Sequence, residues 1–220
     1  MIANLEVLNH DYLESLLKGD RRKASEMIMR AVEEGINIKD IYLHIFQPSL
    51  YEIGRLWQNN KISVAVEHFC TASTQLIISQ LYPYIFNNNK KGRRMIATCV
   101  GSELHEMGIR IVADFFEMDG WDTYYLGANS PTNSVIEAIE SYQAQLIAIS
   151  ATMTFHIKAL KDLVAAIRNS SAGKNLAVLV GGRPFNLSAD LWQQVKADGF
   201  GKDAQDAIDQ ANKIVEGKYK

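Results

Sequence analysis

The chain is poor in cysteine. Cys70 and Cys99 are the only two, with no CxxC spacing and no second pair, so neither a disulfide framework nor a thiolate metal site is indicated, and a reducing cytoplasm is the expected compartment. It also lacks a surplus of either charge. Lys and Arg number 23 against 25 Asp and Glu, for a net charge of -2, which leaves no basic field for nucleic acid or anionic lipid. The one dense basic run, KKGRR at 90–94, is expected to be a solvated linker. No stretch approaches the roughly 18 uninterrupted apolar residues of a membrane span, and MIANLEVLNHDYLE has neither the basic start nor the apolar core of a secretory signal. No GxGxxG or GxxxxGK[ST] phosphate loop occurs, and His105-Glu106-Met107-Gly108-Ile109 fails as a zinc-protease HExxH because Ile109 stands where the second histidine belongs.

What is present is an ordinary apolar content of 47%, sufficient for a sizeable core. From residue 3 to 86 apolar positions recur every three to four residues. Leu5, Leu8, Tyr12 and Leu16 mark one helix; Ala24, Met27, Ile28 and Ala31 mark a second, with Asp20 as its N-cap and Gly35 closing it. Two more helices are expected over roughly 38–59, kinked by Pro48, and 62–86. The brief connections predict antiparallel neighbours, a four-helix bundle.

At NNNKKGRR, 87–94, the composition turns polar and the periodicity changes, which marks a domain boundary. The expected domains are residues 1–88 and 92–220. Beyond the linker, short apolar runs (MIATCV, YYLG, LIAIS, LAVLVGG and a short last strand at Gly199–Phe200) alternate with amphipathic segments near 108–119, 132–142, 157–169, 187–197 and 203–217. Alternation of this kind means an α/β fold. Its five-stranded parallel sheet has flavodoxin-like (Rossmann-like) winding and binds ligands at the carboxyl ends of the strands. His105 follows the first strand, Ser150 ends the third and Gly181–Gly182 end the fourth, so these residues are expected to converge on one edge.

With Glu103, His105 and Gly108 followed after 41 residues by Ser150-Ala151-Thr152 and after 28 more by Gly181–Gly182, the second half resembles the cobalamin-binding domain pattern DxHxxG, SxL, GG. The first half resembles the helical cap of adenosylcobalamin-dependent photoreceptor regulators through Trp57, nine residues, then Glu67–His68. The resemblance implies that His105 displaces the dimethylbenzimidazole base and ligates cobalt from below, and that Glu103 receives the second imidazole N–H. Gly108, Ser150, Thr152, Gly181 and Gly182 would accommodate the displaced nucleotide tail. Thr152 departs from the pattern's Leu. Trp57 would cover the upper ligand beside Glu67 and His68, and Gln58 stands where the photoreceptors carry an upper-ligand histidine.

On this resemblance the expected cofactor is cobalamin, adenosylcobalamin in preference to methylcobalamin. The expected role is that of a light- or cobalamin-responsive sensor in the cytoplasm, not itself an enzyme. With no DNA-binding winged helix ahead of the bundle, it would act through a protein signalling partner, with a homodimer as a further expectation. The alternative is a corrinoid methyl-carrier protein of a methyltransferase system, and a third reading is a flavodoxin-like binding module without cobalt. Plainer readings stand beside these. Glu103 suits a helix-start carboxylate, Trp57 a bundle core and Glu67–His68 an exposed helix start, while His10, His44 and His156 are assigned to structure or surface.

Overall fold

The computed structural model describes residues 5–86, 89–188 and 190–218. They fall into two compact units, Met1–Ile85 and Phe86–Lys220. Asn87 and Asn88 of the expected linker, with residues 1–4, 189 and 219–220, lie outside the described residues.

The first unit is helical: α1 Leu5–Leu17, α2 Arg21–Glu33, α3 over residues 38–58 and α4 Val64–Ile85. Asp20 caps α2, accepting the Lys23 N–H at 2.9 Å. Gly35, at φ +84°, closes that helix while Ile36 N–H returns to the Ala31 carbonyl, a left-handed C-terminal turn. The kink expected at Pro48 takes the form of a π-helical stretch, Tyr42–Phe46, between the α-helical pieces Ile38–Ile41 and Gln47–Gln58. Proline brings no N–H to the ladder, and the turn before it widens so that Gln47 N–H reaches Tyr42 O. Asn9 of α1 steadies this irregular turn by donating to Ile45 O at 3.0 Å and Ser49 Oγ at 2.8 Å. The core is aromatic: the fully buried Tyr12 and Tyr42 rings both pack on Phe46, with centroids 5.5 and 5.3 Å away. The Tyr12 hydroxyl is satisfied by Thr74 Oγ1 at 2.9 Å.

The second unit is a five-stranded parallel sheet in the order β2-β1-β3-β4-β5, made of β1 Arg94–Cys99, β2 Asp122–Gly127, β3 Leu146–Ser150, β4 Ala177–Gly181 and β5 Gly199–Gly201. Helices α5 Met107–Met118, α6 Thr132–Tyr142, α7 Ile157–Asn169 and α10 Ala204–Lys218 join and follow the strands. The order is that of a flavodoxin-like doubly wound sheet. The central strand β3 is buried at all five positions, which is why LIAIS reads as a continuous apolar run with no alternation.

Two expectations are corrected. The helix expected over 187–197 is replaced by two short helices, α8 Arg183–Leu187 and α9 Leu191–Gln194, with Ser188 in extended conformation after the first. Pro184 sits in the first turn of α8, where its fixed φ favours a helix start, so helical structure begins directly after the Gly181–Gly182 pair. The run KKGRR is not a loose solvated linker. Lys90 pairs with Glu117 and donates to Trp121 O, Lys91 pairs with Asp119 at 2.7 Å, and Arg93 reaches Asn212 Oδ1 at 2.8 Å. The basic residues thus pin the entry of β1 to the end of α5 and to α10. Among the described residues no helix is long and apolar enough to cross a membrane.

Candidate functional site

Register alone places three of the singled-out segments together. Cys99, the last residue of β1, pairs with Ser150, the last of β3, and Ser150 pairs with Gly181, the last of β4. Three chain segments therefore leave the sheet side by side at its carboxyl edge, as expected for His105, Ser150 and Gly181–Gly182.

The loop after β1 is turned by Ser102 at φ +69°, a conformation few non-glycine residues adopt. It is held by hydrogen bonds to the loop after β2: Ser102 N–H donates to Asn129 Oδ1 at 2.8 Å and Asn129 N–H to Glu103 O at 3.1 Å. This turn drives the Glu103 side chain inward, where the residue has no exposed surface. Its Oε1 accepts from His105 N at 3.0 Å and from His105 Nδ1 at 2.5 Å. Its Oε2 accepts from Thr152 N at 2.8 Å, Met153 N at 3.2 Å and His156 Nδ1 at 2.9 Å. Burial alone would push the carboxyl upward, but the bonds from His105, His156 and the Thr152 amide outweigh it and hold the group well below the usual carboxylate range. Glu103 is therefore an anion, and both imidazoles present Nδ1–H to it.

In the neutral ring of His105 that bond places the proton on Nδ1. With the proton on Nδ1, Nε2 carries the lone pair, the electronic form of a metal-binding imidazole, and the side chain is 45% exposed. Glu103 is not the helix cap of the plainer reading, since α5 starts only at Met107 with Glu106 preceding it. Glu106 instead accepts the Ala128 N–H at 2.9 Å and steadies the loop after β2. The nearby Cys99 thiol is pushed up to about 12 by burial and by the charges of Glu103 and Glu106, and its sulfur lies 3.7 Å from the His105 carbonyl oxygen.

The glycines separate into two kinds. At Gly108, inside α5, no atom beyond the neighbouring backbone of its own helix lies within 4 Å of where a Cβ would sit, so no packing contact calls for glycine there. Gly182, at φ +104°, is required by the chain: a Cβ would lie 2.1 Å from the Ala151 carbonyl oxygen. At Gly181 a Cβ would come within 3.3 Å of Gly201 O. Ser150 is nearly buried, and Thr152 is half-buried with its amide committed to Glu103.

In the helical unit, Trp57 lies half-buried in the last turn of α3. Glu67 and His68 lie in the first turn of α4, joined by a 2.6 Å contact, with Thr71 Oγ1 donating to Glu67 Oε1 at 2.8 Å. Gln58 is exposed.

His156, assigned to structure or surface, is 8% exposed and bonded to the central carboxylate, a contact that sequence spacing does not show. The signal available is its position a few residues past Ser150 on the loop leaving β3, the same edge that carries His105.

The donor set fits cobalamin: an imidazole whose Nδ1 is anchored on a buried anion, Nε2 as its ligand atom, and an uncrowded Gly108 in the helix that follows. His105 would ligate cobalt and Glu103 would orient it.

Residues 93–209 match a family model described as a B12 binding domain, and residues 8–82 match a second of the same description. The chain is similar to a corrinoid protein of Desulfitobacterium hafniense (strain Y51), 23% identical over 208 residues covering 92% of this chain and 94% of that one. It is also similar to dimethylamine corrinoid protein 3 of Methanosarcina acetivorans, 21% identical and covering 97% and 100%. The solved Methanosarcina barkeri monomethylamine corrinoid protein shares the fold at TM-score 0.84 and 19% identity, over 96% of this chain and 100% of that one. These relatives are named as corrinoid proteins, two of them for methylamines, where the sequence points first to photoreceptor regulators. With a family model matching more than half of its length, the chain belongs to the B12 binding domain family.

Proposed function

We propose that the protein is a corrinoid carrier of a methyltransferase system: it holds cobalamin through His105 and presents a methyl group to protein partners, without itself catalysing the transfer. The single observation that carries this reading is the near full-length likeness to the dimethylamine corrinoid protein, which takes in the helical unit as well as the sheet unit. Bound cobalamin supplies a cobalt centre able to accept and release a methyl group. The chain's own residues do the rest. The carboxylate of Glu103 fixes the His105 imidazole in one tautomer and one orientation, and its three further N–H donors from the loop after β3 hold that carboxylate still. Methylcobalamin replaces adenosylcobalamin as the expected form.

The assignments of Ser150, Thr152, Gly181 and Gly182 to the nucleotide tail, and of Trp57, Glu67 and His68 to cofactor binding, are proposed on the resemblance alone. The division into residues 1–88 and 92–220 is proposed on the change of composition and periodicity at 87–94. The cytoplasm is the proposed compartment, since buried thiols such as Cys70 and Cys99 suit a reducing medium.

A second reading, a cofactor-responsive sensor, is favoured by Glu103 in place of Asp and by Trp57 with Glu67–His68. One experiment separates the two: the purified protein is titrated with methylcobalamin and with adenosylcobalamin, then illuminated with green light while its size is followed by light scattering. A carrier binds methylcobalamin, loses the methyl group to a thiol acceptor when a methyltransferase is present, and keeps its size in the light. Preference for adenosylcobalamin with a light-driven change of size would overturn the carrier reading.

A further inference from the structure

The helical unit carries an outward face built from α2 and α4. Along α2, Arg22, Glu26, Met29 and Glu33 recur at steps of four and three residues, so they form one stripe, opposite the buried Ala24, Ile28 and Ala31. Helix α4 lies beside it. Ser25 Oγ donates to Gln80 Oε1 at 2.9 Å, and Met29 and Leu76 line a groove of about 290 Å³ between the two helices, bordered by Arg21 and Arg22. From Phe69 to Ile85, α4 carries no Lys, Arg, Asp or Glu, although Leu76 is 46% exposed and Tyr82 and Tyr84 are exposed as well. A helix face that stays in water ordinarily carries charge, and one that is apolar and exposed marks a surface built to be covered.

The charges of α2 point to what covers it. Arg21, Arg22 and Lys23 fill its first turn, and Glu33 and Glu34 close it. A helix N-terminus favours anions and a C-terminus cations, so, apart from the Asp20 cap and Arg30, both ends carry the disfavoured sign. The chain itself relieves little of this. Arg22 pairs with Glu26 at 2.9 Å, but the two side chains are 88% and 61% exposed, and a pair so wet contributes little.

A second α2 laid antiparallel across the first removes the mismatch at both ends. The stripe is symmetric about its middle, with Arg22 four residues before Glu26 and Glu33 four residues after Met29. A two-fold axis between Glu26 and Met29 therefore sets each Arg22 against the other copy's Glu33, and closes Met29 and Leu76 of both copies around the axis. A partner of one charge sign would satisfy one end of α2 and repel the other. We infer that the α2–α4 face is a homodimer interface, occupied by a second copy of this chain in antiparallel register. At 13 residues α2 is about 20 Å long, a small face, so the dimer is a reversible one.

The test is sedimentation velocity of the full chain over micromolar to millimolar concentrations, with Arg22→Glu, Glu33→Arg and Leu76→Glu beside the wild type. The wild type should dimerise reversibly, and more weakly as salt screens the paired charges. Each charge reversal sets like charges together at two symmetric places and should raise the dimer Kd by about tenfold, and Leu76→Glu should leave a monomer. The deciding sample is the equimolar mixture of Arg22→Glu with Glu33→Arg. There each reversed residue meets its opposite on the other chain, so the mixture should dimerise where neither variant does alone, a rescue that a folding defect cannot produce. A dimer indifferent to the single reversals, or a mixture no stronger than its components, would overturn the inference. So would a wild type that is monomeric at every concentration, which would leave the face to a different protein.

Discussion

The Glu103 carboxylate accepts the backbone N–H of Thr152 at 2.8 Å, tying the loop after β1 to the loop after β3 across 49 residues of sequence. Because five N–H groups converge on two oxygens, an amide cannot replace the carboxylate. Glu103→Gln must turn its NH2 towards either the His105 pair or the Thr152–Met153–His156 group, leaving donors facing a donor. Urea unfolding of the cofactor-free protein should show a loss of about 2–3 kcal/mol, and cobalamin binding should weaken by about 10- to 100-fold.

Gly108 offers the opposite case. With no atom beyond its own helix near the place of its Cβ and an ordinary helical backbone, Gly108→Ala should raise the stability of the cofactor-free protein by about 0.5–1 kcal/mol, the helix propensity difference. If the cofactor's nucleotide tail uses that space, the same variant should bind cobalamin more weakly by calorimetric titration. Stability and affinity moving in opposite directions is the expected result.

For Gly182 the constraint is internal. At φ +104°, with Ala151 O 2.1 Å from where a Cβ would sit, Gly182→Ala requires the loop after β3 to shift. A loss of about 3 kcal/mol is expected, seen as a lowered denaturation midpoint without any cofactor present.

Lys90 supplies the charge facing Glu117, a residue only 7% exposed that also accepts from the Thr123 N–H and hydroxyl. Lys90→Met should cost about 1–2 kcal/mol, and adding Glu117→Gln should recover part of that loss, since removing the second partner removes the uncompensated buried charge. Chemical denaturation of the two single variants and the double variant measures the coupling.

Much of this is legible from residue order. Asp20 as a cap, Gly35 as a stop and the four helical periodicities of the first unit follow from local chemistry, because caps, turns and 3.6-residue periods need only near neighbours. The runs of β3 and β4 are readable as well, because their buried positions leave nearly uninterrupted Leu, Ile, Val and Ala. The π turn before Pro48 is not. A missing N–H predicts that the ladder must break, but whether the break becomes a kink or a wider turn depends on groups such as Asn9 from another helix. Nor is the anchoring of KKGRR, whose acidic partners are Glu117 and Asp119 at the end of α5, Asp122 at the start of β2 and Glu216 on α10.

The sequence by itself determined the residue pattern that resembles a cobalamin-binding domain: an acid two residues before a histidine, a glycine three after it, and the Ser150 and Gly181–Gly182 elements at spacings that end successive parallel strands. Only the tertiary structure decided that Glu103 is fully buried and that its second oxygen belongs to the loop after β3. It likewise decided that His156 shares the carboxylate and that Gly182 is required by a neighbouring carbonyl. The physical reason is range: periodicity and spacing report on bonds made within a few residues, whereas a buried carboxylate's partners are set by which loops the sheet register brings to the same edge.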